Sequence, residues 1–240
     1  MTSLRSIDGA FHPGSGMKLE THLLHGAPAE FAAFIQSKAF PCVGAKSALA
    51  LGALNVIEAG SIKSAEDDAS LHKALKAFAA KALLAEAEVS SLACLFQDDD
   101  AMTERAFETA LWSRLQALHD IDATYGAPWA DGVSQDTQSS NFSMSIGGSA
   151  YFVIGLHPGA SRRARRFLRP ALIFNLHEQF ERLRADGRFY AMQKIIRDRE
   201  VRQNGGVNPM LGDFGKRAEA AQYSGRLVDK AWRCPLRVKS

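Results

Sequence analysis

One histidine of this 240-residue chain stands where a strand should end. His157 follows the apolar run 150–156 and precedes Pro158 and Gly159. Proline cannot extend a sheet ladder, so His157 is expected at the boundary of regular structure, where a sheet holds a ligating or acid–base group in place. A surface or hydrogen-bonded loop histidine is the competing reading. Shortly after it, residues 162–169 hold five arginines in eight positions. With Ser161 as a helix N-cap, Arg162, Arg165, Arg166 and Arg169 share one helical face. Like charges at that spacing repel, so such a stripe calls for an anion, and arginine's forked donors suit carboxylate or phosphate. The alternative is a solvated face paired with Glu178, Glu181 and Asp186.

Other candidates are weaker. His119 shares a predicted helix face with Trp112 and Gln116, and His177 lies one turn before Glu181; both read equally as core histidines bonded to a backbone carbonyl. Cys42, beside a small-residue turn, has no identifiable base and reads as structural. Asp136, Asp213 and Glu219 fall in irregular or terminal segments, where a cationic substrate could be paired. No HExxH, GxGxxG, GxxxxGK[ST], GxSxG or HxE…CxxC pattern occurs. Zinc protease, dinucleotide-binding, P-loop, α/β-hydrolase and zinc deaminase readings therefore lack their signals.

Composition sets the frame for these residues. A hydrophobic share of 46% and a charged share of 23% match an ordinary globular domain. No run approaches the roughly 18 apolar residues that span a bilayer, and residues 1–16 have no apolar core of a secretion signal, so a cytoplasmic protein without membrane contact is expected. The three cysteines, Cys42, Cys94 and Cys234, form no CxxC pair and suggest neither a disulfide framework nor a zinc knuckle. The net charge of +3 is mild despite the arginine run. It favours a small anion over nucleic acid as the arginines' partner.

The elements that must position these groups follow from periodicity. Residues 1–27 read as a loosely held arm, and residues 28–240 as one domain. Phe31, Phe34 and Ile35 mark a short helix from Pro28 to near Phe40, and residues 54–59 a strand. A helix opened by Asp67 and Asp68 carries the stripe Leu71, Leu75, Phe78, Ala82, Leu83. Residues 88–96 read as a buried strand, followed by a helix with Phe107, Leu111, Leu115 and Leu118 on one face. Residues 122–140 form a long loop. Alternation in 142–146, the pair Gly147–Gly148 and the apolar return 150–156 define a β-hairpin. A strand at 171–174, helices at 176–185 and 189–202, and a helical tail at 217–223 complete an α+β fold with a mixed or mostly antiparallel sheet flanked by helices.

Four stretches carry a resemblance to a known family. They are FPCVGAKSAL at 40–49, FSMSIGGSAYFVIGLHPGASRRARRF at 142–167, LIFNLHEQFERLR at 172–184, and NPMLGDFG…EAAQYSG…WRCP at 208–235. Together they resemble the YqcI/YcgG family, including its guanitoxin-pathway haem-dependent N-hydroxylases, and the haem-dependent arginine N-hydroxylase of D-cycloserine biosynthesis. The resemblance runs from about residue 30 to 236, and its longest ordered block is GLHPxxSRxARRF. It implies a haem b enzyme, a monooxygenase that uses O2 or peroxide with a separate electron donor to hydroxylate a guanidine or amine nitrogen, as in arginine or a derivative. Under that implication His157 is the first choice for the iron ligand, with His177 and His119 as reserves. Ser161, Arg162, Arg165 and Arg166 would hold the haem propionates, and Asp213 or Glu219 would face the cationic substrate. Lys216 and Arg217 depart from the family's more acidic tail. A non-catalytic haem sensor or carrier is the alternative, and a homodimer is allowed.

Overall fold

In the computed structural model, residues 26–85, 89–98, 101–204, 206 and 218–239 are described. Six helices and one five-stranded sheet form among them. In chain order they are α1 (Ala27–Gln36), α2 (Val43–Ala50), β1 (Leu54–Ala59), α3 (Asp68–Leu84), β2 (Ser91–Phe96), α4 (Glu104–Thr124), β3 (Met144–Ile146), β4 (Ser149–Leu156), β5 (Ala171–Leu176), α5 (His177–Ala185) and α6 (Arg188–Asn204). Short 3-10 turns lie at Arg163–Arg165 and Glu219–Gln222.

The sheet order is β1-β2-β5-β4-β3. β1 and β2 run parallel because α3 carries the chain back between them. Every other pairing is antiparallel, so the sheet is mixed and the fold is α+β, as the sequence leads one to expect. The two strands at the centre, SLACLF and ALIFNL, are buried along their whole length. Such continuous apolar runs require cover on both faces. One face packs under α3, α4 and the C-terminal segment through Leu71, Leu75, Phe107, Leu111 and Leu115. The other packs under α1 and α2 through Phe31, Ile35 and Leu49.

The hairpin turns at Gly147 and Gly148, both with positive φ (59° and 77°), the backbone that a two-residue turn between twisted strands demands. Past Tyr151, β4 outruns its short partner β3. The free edge is met by the C-terminal segment, where Gly155 N–H donates to the Tyr223 carbonyl at 2.7 Å.

Several expectations need adjustment. α2 forms within the stretch read as a small-residue turn and apolar run. Among the described residues the tail's regular part is a single 3-10 turn, Glu219–Gln222; Arg217, where the helical tail is expected to begin, lies outside them. Of the proposed arm, Ala27 already belongs to α1, and residues 1–25 lie outside the described residues.

Candidate functional site

The end of β4 places His157 in the core. It is 1% exposed, and its ring stacks on Phe107 of α4 with centroids 4.3 Å apart and planes at 18°. Its backbone N–H donates to the Arg165 carbonyl at 3.1 Å. Nδ1 is buried without a well-aligned hydrogen bond, and the ring lies within reach of the Met102 backbone. The turn that follows is tight: a Cβ on Gly159 would stand 2.3 Å from the Met102 carbonyl oxygen and 3.5 Å from His157 Nδ1. Burial pushes the imidazole pKa below its ordinary value, with Arg165 reinforcing the shift and Glu104 opposing it. His157 is therefore a buried imidazole held in its neutral form, not a surface histidine.

The arginine stripe does not form. Only Arg163–Arg165 is helical, as one 3-10 turn, and the guanidinium groups diverge. Arg162 pairs with Glu200 on α6 at 3.0 Å, and Arg169 with Glu30 on α1 at 2.8 Å. Arg166 donates to the Ala160 and Ser161 carbonyls. Arg165 is spent on backbone, with Nη1 donating to Gly155 O at 3.0 Å and Tyr223 O at 3.3 Å, and Nη2 to Gln222 O at 3.3 Å. Burial lowers its pKa to about 10. Ser161 caps no helix; its N–H and Oγ both donate to Glu104 Oε1. Nor do Glu178, Glu181 and Asp186 answer the stripe, since they pair with Arg182, Arg184 and Arg188. Dispersal removes the repulsion that a continuous stripe would carry.

The reserve histidines have partners at Nε2. His119 accepts from the Lys239 backbone N–H at 2.8 Å, an amide where a carbonyl was expected. His177, first residue of α5, meets Glu181 Oε1 at 2.9 Å. A further buried pair, His72 Nε2 with Asp122 Oδ1 at 2.6 Å, was not read from the sequence. Fifty positions separate its members, and no local pattern marks it. Asp136 serves its own turn, accepting from Gln138 N–H. Asp213 lies outside the described residues.

Glu219 occupies a different kind of place. It is half-buried on the C-terminal segment, and Ser143 Oγ lies 3.1 Å from its Oε2. Burial raises its pKa from the ordinary 4.5 to about 7, against the pull of Ser143 and Arg184. One turn on, Tyr223 stacks on Trp112 at 5.7 Å and stands edge-on to Phe152 at 5.7 Å. Phe142 reaches both Tyr223 and Trp129, and Trp232 lies 6.2 Å from Trp112. All three tryptophans of the chain are in this cluster. The indole Nε1 groups of Trp112 and Trp129 are buried without a hydrogen-bond partner. The cluster meets Glu219 through Tyr223, on whose hydroxyl the carboxylate's charge acts; an aromatic face beside a carboxyl suits an organic cation.

A mixed sheet of these elements, with a buried histidine at a strand end and a half-buried carboxyl group bonded to Ser143, defines an α+β protein. The chain belongs to the YqcI/YcgG family, which matches residues 31–237. No curated protein and no solved structure matches it. Among the described residues no helix is long and apolar enough to cross a membrane, and no group of three or more His, Cys, Asp or Glu is placed to hold a metal ion.

Proposed function

We propose that this protein is a haem-dependent N-oxygenase that hydroxylates a nitrogen of a guanidine or amine, with arginine or a derivative in its substrate class. The sequence blocks similar to haem-dependent N-hydroxylases support the reading. The observation that carries it is Glu219: a carboxyl group hydrogen-bonded to Ser143, near enough to Tyr223 for its charge to act there, with its pKa raised by burial to about 7.

The residues present fit a haem unevenly. His157 fits an axial donor, since burial keeps its imidazole neutral and the neutral form is the ligating one. Arg162, Arg165, Arg166 and Ser161 do not fit the propionates, because each is engaged by protein acceptors. When bound, haem would supply the oxidation, drawing on O2 or peroxide and on electrons from a separate donor. The rest falls to the chain. Ionised Glu219 accepts N–H donors from a guanidinium or ammonium group, and pairing lowers its pKa. The faces of Tyr223 and Phe142 exclude water around the cation and stabilise its charge. Ser143 fixes the carboxyl orientation. A sensor or carrier of haem would share His157 but give Glu219 no task.

Supplying hemin-loaded protein with a reductant or peroxide and with arginine, agmatine or simple amines tests the reading. Mass spectrometry should find a product heavier by one oxygen, bound at nitrogen. Glu219→Gln should lower kcat/KM for the cationic substrate by about tenfold or more while leaving the haem spectrum unchanged. No oxygenated product from any guanidine or amine would sink the proposal.

A further inference from the structure

We infer that a cavity formed by the C-terminal end of α1, the start of α2 and the last turns of α6 binds a small molecule through a doubly charged oxyanion group, either a phosphate or two neighbouring carboxylates. The cavity is about 370 Å³ and is lined by Lys38, Lys46, Arg199 and Arg202, a size in the range of small-molecule sites. No carboxylate lines it among the described residues. The acidic residues nearest in sequence on α6 are drawn elsewhere, Asp198 toward Lys194 at 3.0 Å and Glu200 toward Arg162 at 3.0 Å.

Two of the cations are held in place rather than free to swing away. Lys46 Nζ donates to the Ser37 carbonyl at 2.7 Å and the Gln36 carbonyl at 3.2 Å, at the end of α1. Arg199 Nη1 reaches the Pro41 carbonyl at 3.5 Å. Burial and the charge of Arg199 both press the Lys46 pKa down, the mark of cations that repel each other. Helix α2, which brings Lys46 to the cavity, has its positive end at Cys42, whose Sγ accepts the Ala45 N–H. Lys46, Arg199 and Arg202 bring like charges to one cavity with no acid among its described walls, an arrangement that an anion bridging them stabilises. Arg165 lies close enough for its charge to act on both Cys42 and His157. If the haem reading holds, on which this one source rests, the two haem carboxylates are one occupant. A phosphate-bearing small molecule is the other.

Pyrophosphate is the probe, measured by calorimetry and by thermal unfolding against sodium chloride of equal ionic strength. Saturable binding with a rise in melting temperature is expected, weakened about tenfold or more by Arg199→Gln, the size of one lost charge-assisted hydrogen bond. Arg202→Gln, at an exposed position in the last turn of α6, should act likewise without burdening the fold. Binding no different from chloride, or binding unaffected in both variants, overturns the inference. Hemin and its dimethyl ester then separate the sources. Displacement of pyrophosphate by hemin but not by the ester assigns the site to haem carboxylates. Pyrophosphate binding that hemin does not disturb assigns it to a phosphate-bearing molecule, and that result stands even if the protein binds no haem.

Discussion

The Ser143 hydroxyl lies 3.1 Å from Glu219 Oε2 and 3.2 Å from the Tyr151 carbonyl, so one side chain joins the sheet to the carboxyl group of the C-terminal segment. A hydroxyl has a single proton to give. When Glu219 is ionised, Ser143 donates to it, and the Tyr151 carbonyl is left to Tyr223 Oη at 3.2 Å. When Glu219 is protonated, it can donate to Ser143, whose proton then serves Tyr151. Both states are satisfied, which suits a group that changes charge near neutral pH.

Glu219 therefore makes stability depend on pH. Its folded pKa, about 7, exceeds its ordinary 4.5, so the folded state binds the extra proton. Below about pH 4 the group is protonated in both states and costs nothing. Between pH 4.5 and 7 stability falls as pH rises, by about 2 kcal/mol with solvent contact allowed for. Asp68, raised by burial to about 6, titrates in the same window, so the comparison must be between wild type and Glu219→Gln. Urea unfolding at pH 5 and pH 8 should show the variant losing less stability over that interval. Parallel profiles would mean Glu219 is as well solvated as a surface carboxylate.

Tryptophan emission should respond to substrate. Trp112 stacks on Tyr223, one turn from Glu219, and Trp232 lies against Trp112, so a guanidinium placed beside Glu219 is expected to alter their fluorescence. Titration with arginine or agmatine should give a saturable change that Glu219→Gln removes. A response equal in wild type and variant would move the substrate elsewhere.

Arg165 holds the C-terminal segment against β4 through three carbonyls. Arg165→Met keeps the bulk and removes the donors, leaving buried acceptors unsatisfied at a cost of roughly 2–4 kcal/mol. Arg165→Lys should recover less than half, because a single ammonium group does not reproduce the planar fork. Denaturant midpoints measure the loss, and limited proteolysis near Arg226 and Lys230 should quicken in the Met variant. Unchanged cleavage there would show that the segment is held by its aromatic contacts alone.

His157→Ala should abolish or sharply weaken haem retention while far-UV circular dichroism persists, with a stability loss of a few kcal/mol from the stack on Phe107. Full haem occupancy and an unchanged spectrum in this variant would dismiss His157 and turn attention to His177.

Much of the fold was legible because its signals are local. Alternation and the Gly147–Gly148 pair placed the hairpin, and the apolar stripes of α3 and α4 placed the helices that cover one face. α2 was missed because VGAKSALA is short and small-sided, and its helix depends on packing against neighbours. The arginines were misread as a helical stripe because the spacing alone cannot show that Glu30, Glu200 and backbone carbonyls from distant segments claim them one by one. Glu219 was legible only as an acid in a tail, since the groups that act on it, Ser143, Glu181 and Arg184, lie far off in the chain. The cationic cavity unites residues 38, 46, 199 and 202, a grouping that sequence order conceals.

The most direct test of the central claim is the absorption spectrum of protein purified from haem-supplemented cells, recorded before and after dithionite. The account predicts a Soret band that shifts on reduction and is lost with His157→Ala. A colourless protein that also fails to take up added hemin would contradict it.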